Sequence, residues 1–291
     1  MVIPPRPPLL VLTADDFGAS PRANAAILRA HREGVLAAAS LMVTGAAAAE
    51  AVAMAGAHPA LRVGLHLVLV DGASALGSAG ASRLADRDGR FPGSPLAAGL
   101  RYGLRPGVRD ELAAEIRAQF GRFAATGLPL DHVNGHHHLH MHPAVWPLVV
   151  AEAERRGAAG VRVTREDLRM ALRWDRRGVA VRAAHAAALA WLARRCRRDL
   201  AGRRLRRVDR VYGVLQVGEM TEGYLLWLLE AIPPADAEIV FHPGAERGAM
   251  RDGGPDPETQ ALASPAVLAA IAARGFHTGG YADLGARPPG T

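Results

Sequence analysis

The sequence predicts an α/β fold whose parallel strands close into a barrel. Three observations lead there. Short apolar runs alternate with longer stretches of helical periodicity, the pattern of strand–helix units. About seven such units follow one another, more than a small open sheet needs. No Gly-x-Gly-x-x-Gly follows the first apolar run, which argues against a dinucleotide-binding sheet.

The elements read in order as follows. Leu9–Ala14 is a buried strand. Ser20 caps a helix over Pro21–Arg32, since a serine stands before a proline at the first helical position. Ala38–Val43 and Leu61–Val68 are further strands. Residues 71–104 are rich in Gly, Ser, Ala and Pro and read as a long loop or insertion, a candidate lid. Leu112, Ile116, Phe120 and Phe123 recur at helical spacing within Arg105–Thr126. Leu130–Asn134 is a short strand, followed by a helix that starts at Pro143 or Pro147 and runs to Arg156. Then come strand Gly160–Val163, helix Met220–Ala231 capped by Thr221 or a neighbour, strand Ala237–Phe241, helix Pro265–Ala273 and a last strand over Phe276–Tyr281. The tail after Leu284 reads as frayed. The expected organisation is one domain over 1–291, with a core from about residue 9 to 284 and no internal repeat.

Composition excludes several classes of protein. All 35 basic residues are Arg, so no P-loop, Schiff-base or carbamylated lysine exists. That removes Walker-type nucleotidases, ordinary kinases and pyridoxal enzymes. The single cysteine, Cys196, excludes an intramolecular disulfide and a cysteine-only metal site. The N-terminus lacks a signal-peptide pattern. The longest apolar stretch, Ala183–Ala193, is too short to span a membrane and carries His185. The expected location is the cytoplasm.

Charge is unevenly spread. Residues 155–210 hold 18 Arg and 5 acids, whereas the rest of the chain has 17 Arg and 23 acids. The same segment holds an Ala/Leu/Trp-rich stretch, Val179–Ala193. An apolar stretch beside dense Arg fits a helix lying on an anionic membrane. A solvated helix in a genome rich in Arg codons gives the same composition, and nucleic acid is a weaker third reading.

Polar clusters interrupt or end the apolar runs. Asp15-Asp16 ends the first, His66 lies inside 63–69, and six of the 12 histidines fall within Asp131–His142. The C-terminal ends of parallel strands are where sites assemble. Adjacent carboxylates there are costly unless something such as a metal ion neutralises them. Read singly, Asp16 is also a turn cap and His66 a core histidine; the histidine run is harder to dismiss. In an extended backbone, His136, His138 and His140 share one face. His242, at the end of 239–241, is either a turn residue before Pro243 or a general acid. Asp16, His66 and His136 would hold a catalytic ion with open positions, and nitrogen-rich ligation favours zinc or a similar metal. Asp15 is then free to take a proton from water, which predicts metal-assisted hydrolysis of a carbonyl group.

Thr13-Ala14-Asp15-Asp16-Phe17-Gly18, Gly64-Leu65-His66, the His136–His140 run and Phe241-His242-Pro243 together resemble the YdjC/ChbG family of carbohydrate deacetylases. The resemblance implies a single-domain, (β/α)-barrel-like polysaccharide deacetylase fold and removal of an N-acetyl group from an amino sugar. It implies one divalent metal on Asp16, His66 and His136, usually magnesium, so ligand chemistry and family disagree on the ion. The mechanism expected from these residues has Asp15 as base and His242 as acid, with Arg162 either orienting Asp15 by a charge-assisted bond or a plain surface Arg, and His138 and His140 supporting the ligands or contacting the substrate. Members acting on chito-oligosaccharides tend to carry Asp-Ser or Asp-Gly before the histidine run; here Asn134-Gly135 stands there. The surroundings 126–134, 64–70 and 105–109 look closer to the hopanoid-biosynthesis-associated branch. That branch implies an N-acetylglucosaminyl glycolipid substrate and gives segment 155–210 a purpose at the inner face of the membrane. The expected partner is an N-acetylated sugar or glycolipid, not nucleic acid; a homodimer stays open. The rival readings are a soluble chito-oligosaccharide deacetylase and a non-enzymatic peripheral membrane protein whose histidines store metal.

Overall fold

The structure, a computed structural model, describes residues 6–245 and 256–285. The expectation for the tail therefore lies almost wholly outside the described residues. Elements run in the order β1 (Leu9–Phe17), α1 (Pro21–Glu33), β2 (Ala38–Leu41), α2 (Ala48–Ala57), β3 (Arg62–Leu67), α3 (Gly77–Gly80), α4 (Pro95–Leu104), α5 (Val108–Ala125) and β4 (His132–Gly135). A tight 3-10 turn, His136–Met141, follows, then α6 (Trp146–Arg155), β5 (Gly160–Val161), α7 (Leu168–Trp174), α8 (Val179–Asp199) and β6 (Arg210–Tyr212). The last elements are α9 (Glu222–Ala231), β7 (Ala237–Phe241), α10 (Pro257–Leu262), α11 (Pro265–Ala273), β8 (His277–Thr278) and a 3-10 turn over Tyr281–Asp283.

All strand pairs are parallel, in the order β5-β4-β3-β2-β1-β7-β6, and β8 pairs with Leu9 and Leu10 at the start of β1. The two ends of the sheet approach each other: Val161 N–H donates to the Arg206 carbonyl (2.9 Å) and Val211 N–H to the Arg165 carbonyl (3.1 Å). The sheet thus curls into an incomplete barrel, as the strand–helix alternation predicts.

Alternation along the strands sorts the side chains into two layers. Leu10, Leu12, Leu65, Val133, Ile239 and Phe241 are buried in the apolar core. The alternate positions Thr13, Asp15, Ser40, His66, His132, Asn134 and Glu238 hydrogen-bond among themselves and with Arg162 across the barrel interior. The interior is therefore polar. Gly64 makes room within it, because a Cβ there would lie 2.5 Å from the His132 ring. Tyr281 reaches Glu238 with its hydroxyl (2.7 Å) and stacks on His132, while its N–H donates to Asp131 (2.9 Å).

Several expectations need correction. Residues 71–104 are not a featureless loop, since α3 and α4 lie within them. Ser94 caps α4 through a bond from Ala97 N–H. Helix α5 starts at Val108, after a left-handed Gly107. Strands β5 and β8 are two residues each, shorter than read. The histidine run is not extended: His137 and His138 adopt left-handed φ of 50° and 58°, so 136, 138 and 140 do not share a strand face.

Candidate active site

The site sits at the C-terminal ends of β1, β3, β4, β5 and β7. Strict alternation would point Asp15 and Asp16 to opposite faces of β1. The register between β1 and β2 shifts between Ala14 and Phe17, and Asp16 takes a left-handed φ of 63°. This bulge re-aims Asp16, so both carboxylates serve one site.

Three donor atoms converge there. Asp16 Oδ1 lies 3.3 Å from His66 Nε2 and 3.0 Å from His136 Nδ1, and the two imidazole nitrogens are 3.4 Å apart. Ligands about 2.0–2.1 Å from one ion stand roughly 3.0–3.4 Å from each other, so the spacing fits a metal. Asp16 Oδ1 is buried and accepts no hydrogen bond, an orphan an ion would satisfy. The His66 tautomer agrees. Asn134 Nδ2 donates to Asp15 Oδ1 (3.0 Å) and Ser40 Oγ (2.8 Å), so its Oδ1 is left to accept from His66 Nδ1 (2.7 Å). His66 Nε2 then offers its lone pair. Asp71, His136 and His137 form a second group of donors, but Asp71 and His137 are exposed.

Asp15 is built differently. Arg162 Nη1 donates to its Oδ2 (2.5 Å) and Nη2 to its Oδ1 (3.0 Å). The same guanidinium donates to both oxygens of Glu238, at 3.1 and 2.7 Å. Glu238 also accepts from Thr13 Oγ1 (2.7 Å). Burial alone would raise the Asp15 carboxyl; Arg162 and His66 outweigh it and hold Asp15 far below the usual carboxylate range. At Asp16, burial is likewise outweighed, here by the neighbouring His136 and His66 rings. Burial works against a charged His66, but Asp15 and Asp16 raise its pKa overall.

Asp15, His66, His136, His138 and His242 line one cavity of about 350 Å³, joined by His185 from α8 and by Val214 and Val217. His138 bonds Thr164 Oγ1 (3.2 Å), and burial beside Arg162 keeps it neutral. His140 stands apart. It is buried against Trp146, bonds the Arg162 carbonyl (2.9 Å) and is not part of the lining; burial pushes its pKa down to about 3. Sequence reasoning gave no role to Glu238, Asn134 and Ser40. Their signal was present as polar residues at alternate positions of otherwise apolar strands.

Comparison with known proteins shows which family and fold the chain is similar to. A profile of the family described as YdjC-like protein matches residues 9–273. The chain is 31% identical over 284 residues to the chitooligosaccharide deacetylase of Enterobacter sp., covering 95% of this chain and 99% of that protein. It is 45% identical over 148 residues to a carbohydrate deacetylase of Brevibacillus brevis; that match spans 50% of this chain and about half (55%) of the relative. A crystal structure from Enterococcus faecalis V583, of a protein provisionally described as acting in cellobiose-phosphate cleavage, superposes with a TM-score of 0.67 at 21% identity. It covers 94% of this chain and 98% of the other, a likeness of fold.

Proposed function

The chain belongs to the YdjC-like protein family, and from that premise we propose that it is a metal-dependent N-deacetylase. It hydrolyses the acetamide of an N-acetylated amino sugar to the free amine and acetate. The observation that carries this reading is the convergence of Asp16, His66 and His136 on one point beside a buried Asp15 carboxylate clamped by Arg162.

A divalent ion on Asp16, His66 and His136 would supply Lewis acidity toward the acetyl carbonyl and lower the pKa of water. The chain's own groups do the rest. Asp15 accepts the proton of the water that attacks the carbonyl carbon. Arg162 keeps the Asp15 carboxylate aimed through two charge-assisted bonds. His242, on the same cavity, gives a proton to the amine nitrogen as the C–N bond breaks. Neutral His138 contacts the sugar from the cavity wall, and His140 buttresses the turn that carries His136 and His138.

Within this class, the substrate we infer is an N-acetylglucosaminyl glycolipid of the hopanoid type, with segment 155–210 toward the membrane. The residues around 64–70, 105–109 and 126–134 support it. The second reading is a chito-oligosaccharide substrate, favoured by the name of the Enterobacter relative. Acetate released by metal-reconstituted protein from the glycolipid but not from N,N′-diacetylchitobiose is the expected result. Release from chitobiose alone keeps the chemistry and removes the glycolipid. No release from either, with metal bound, rejects the deacetylase reading for these substrates.

A further inference from the structure

Apolar side chains exposed on a folded surface cluster where something covers them. Of the large hydrophobic residues exposed here, Leu96, Leu100, Leu104, Trp174, Val179, Val181 and Trp191 all lie on α4, α7 and α8 or at their ends; only Leu268 lies elsewhere among the described residues. Leu96, Leu100 and Leu104 are 72%, 53% and 76% exposed and four residues apart, so they form one stripe along α4. The opposite side of α4 buries Ala98 and Tyr102.

Helix α8 is similarly two-faced. Ala186, Leu189, Ala193 and Cys196 face the protein. Val181, Ala184, Ala188 and Trp191 face solvent, with Trp191 62% exposed. Arg194, Arg195 and Arg198 follow Trp191 by three, four and seven residues, so they continue its face. All three are exposed, and none forms an ion pair with another described residue. Both helices border the catalytic cavity, α4 through Pro95 and α8 through His185.

We propose that the outer faces of α4 and α8 form a docking surface for an anionic phospholipid bilayer, set beside the cavity mouth. Leucine and tryptophan on one side with unpaired arginine beside them suit the boundary between acyl chains and anionic headgroups. No described helix is long and apolar enough to cross a membrane, so the contact is a surface one. The surface extends the basic segment 155–210 with a helix from 71–104. It rests on the amino-sugar reading only for its purpose, delivery of a lipid-linked substrate; binding itself does not depend on catalysis.

The test uses the full, metal-loaded chain and vesicles of phosphatidylcholine, with and without an equal part of phosphatidylglycerol. Cosedimentation with the anionic vesicles only, with a blue-shifted tryptophan emission, is expected. The double variant Leu100→Glu, Trp191→Glu should bind them about tenfold or more weakly, because each side chain carries a substantial apolar burial term. Circular dichroism checks that it stays folded, and its acetate release from a water-soluble substrate should equal that of the parent chain. Equal binding by parent and variant, or none by either, overturns the proposal. A parent dimer that the variant loses, without vesicle binding, assigns the face to a second copy and also overturns it. Vesicle binding without acetate release from any substrate keeps the surface and rejects the deacetylase reading; the converse does the opposite.

Discussion

Asp15 and Arg162 are 147 residues apart in sequence and meet through two hydrogen bonds of 2.5 and 3.0 Å inside the barrel. The other edge of the guanidinium holds Glu238. One fully buried cation thus sits between two fully buried acids, and Tyr281 and Thr13 take up remaining acceptor capacity. Such a chain is rigid when satisfied and costly when broken.

Asp15→Asn is expected to lower turnover about a hundredfold or more while metal stays bound, since Asp15 is outside the converging donor set. Acetate release and metal content measured on the same sample check it. Loss of metal together with turnover in this variant would reverse the roles of the two aspartates.

Arg162→Met leaves Asp15 and Glu238 buried without their shared cation. Breaking a buried pair in this way costs about 3–5 kcal/mol. Urea unfolding of the two proteins should show that loss, and a difference under about 1 kcal/mol would mean the barrel interior admits water.

Asn134→Ala removes the acceptor that orients His66. Loss of such a partner typically weakens metal binding about 10–100-fold. Calorimetric titration with zinc or magnesium reads this directly. The metal should also raise the melting temperature of the parent chain, because only the folded state gathers the donors.

Glu166 gives a pH signature away from the metal. Burial, partly offset by bonds from Leu215 and Gly213, raises its pKa from 4.5 to about 7. The folded state therefore keeps a proton that the unfolded chain loses. The resulting stabilisation is full below about pH 4.5 and is lost as pH rises through 7, a swing on the order of 3 kcal/mol. Unfolding free energies of the parent and Glu166→Gln across this range should differ in slope, with the variant flatter.

Much of the frame was legible. Ser20 does accept from Ala23 N–H at the start of α1, and Thr221 from Tyr224 N–H at the start of α9. The strands β1, β3 and β7 stood out because an outward apolar face packs under helices. Strands β5, β6 and β8 span two or three residues, too few to set a period. Helix α4 escaped although Leu96, Leu100 and Leu104 recur at helical spacing behind the Ser94 cap, because the Gly-, Ser- and Pro-rich surroundings read as loop.

By itself the sequence determined the alternation of strands and helices, the absence of lysine and disulfide chemistry, and which Asp and His residues end the apolar runs. These depend on local propensity and composition. Tertiary structure alone decided that a bulge is what turns Asp16 toward its expected partners His66 and His136, that the histidine run folds into a left-handed turn, and that Arg162, expected beside Asp15, is buried and shared with Glu238. Each depends on segments far apart in the chain, whose packing overrides local preference: left-handed backbone at Asp16, His137 and His138 persists only where surrounding contacts hold it.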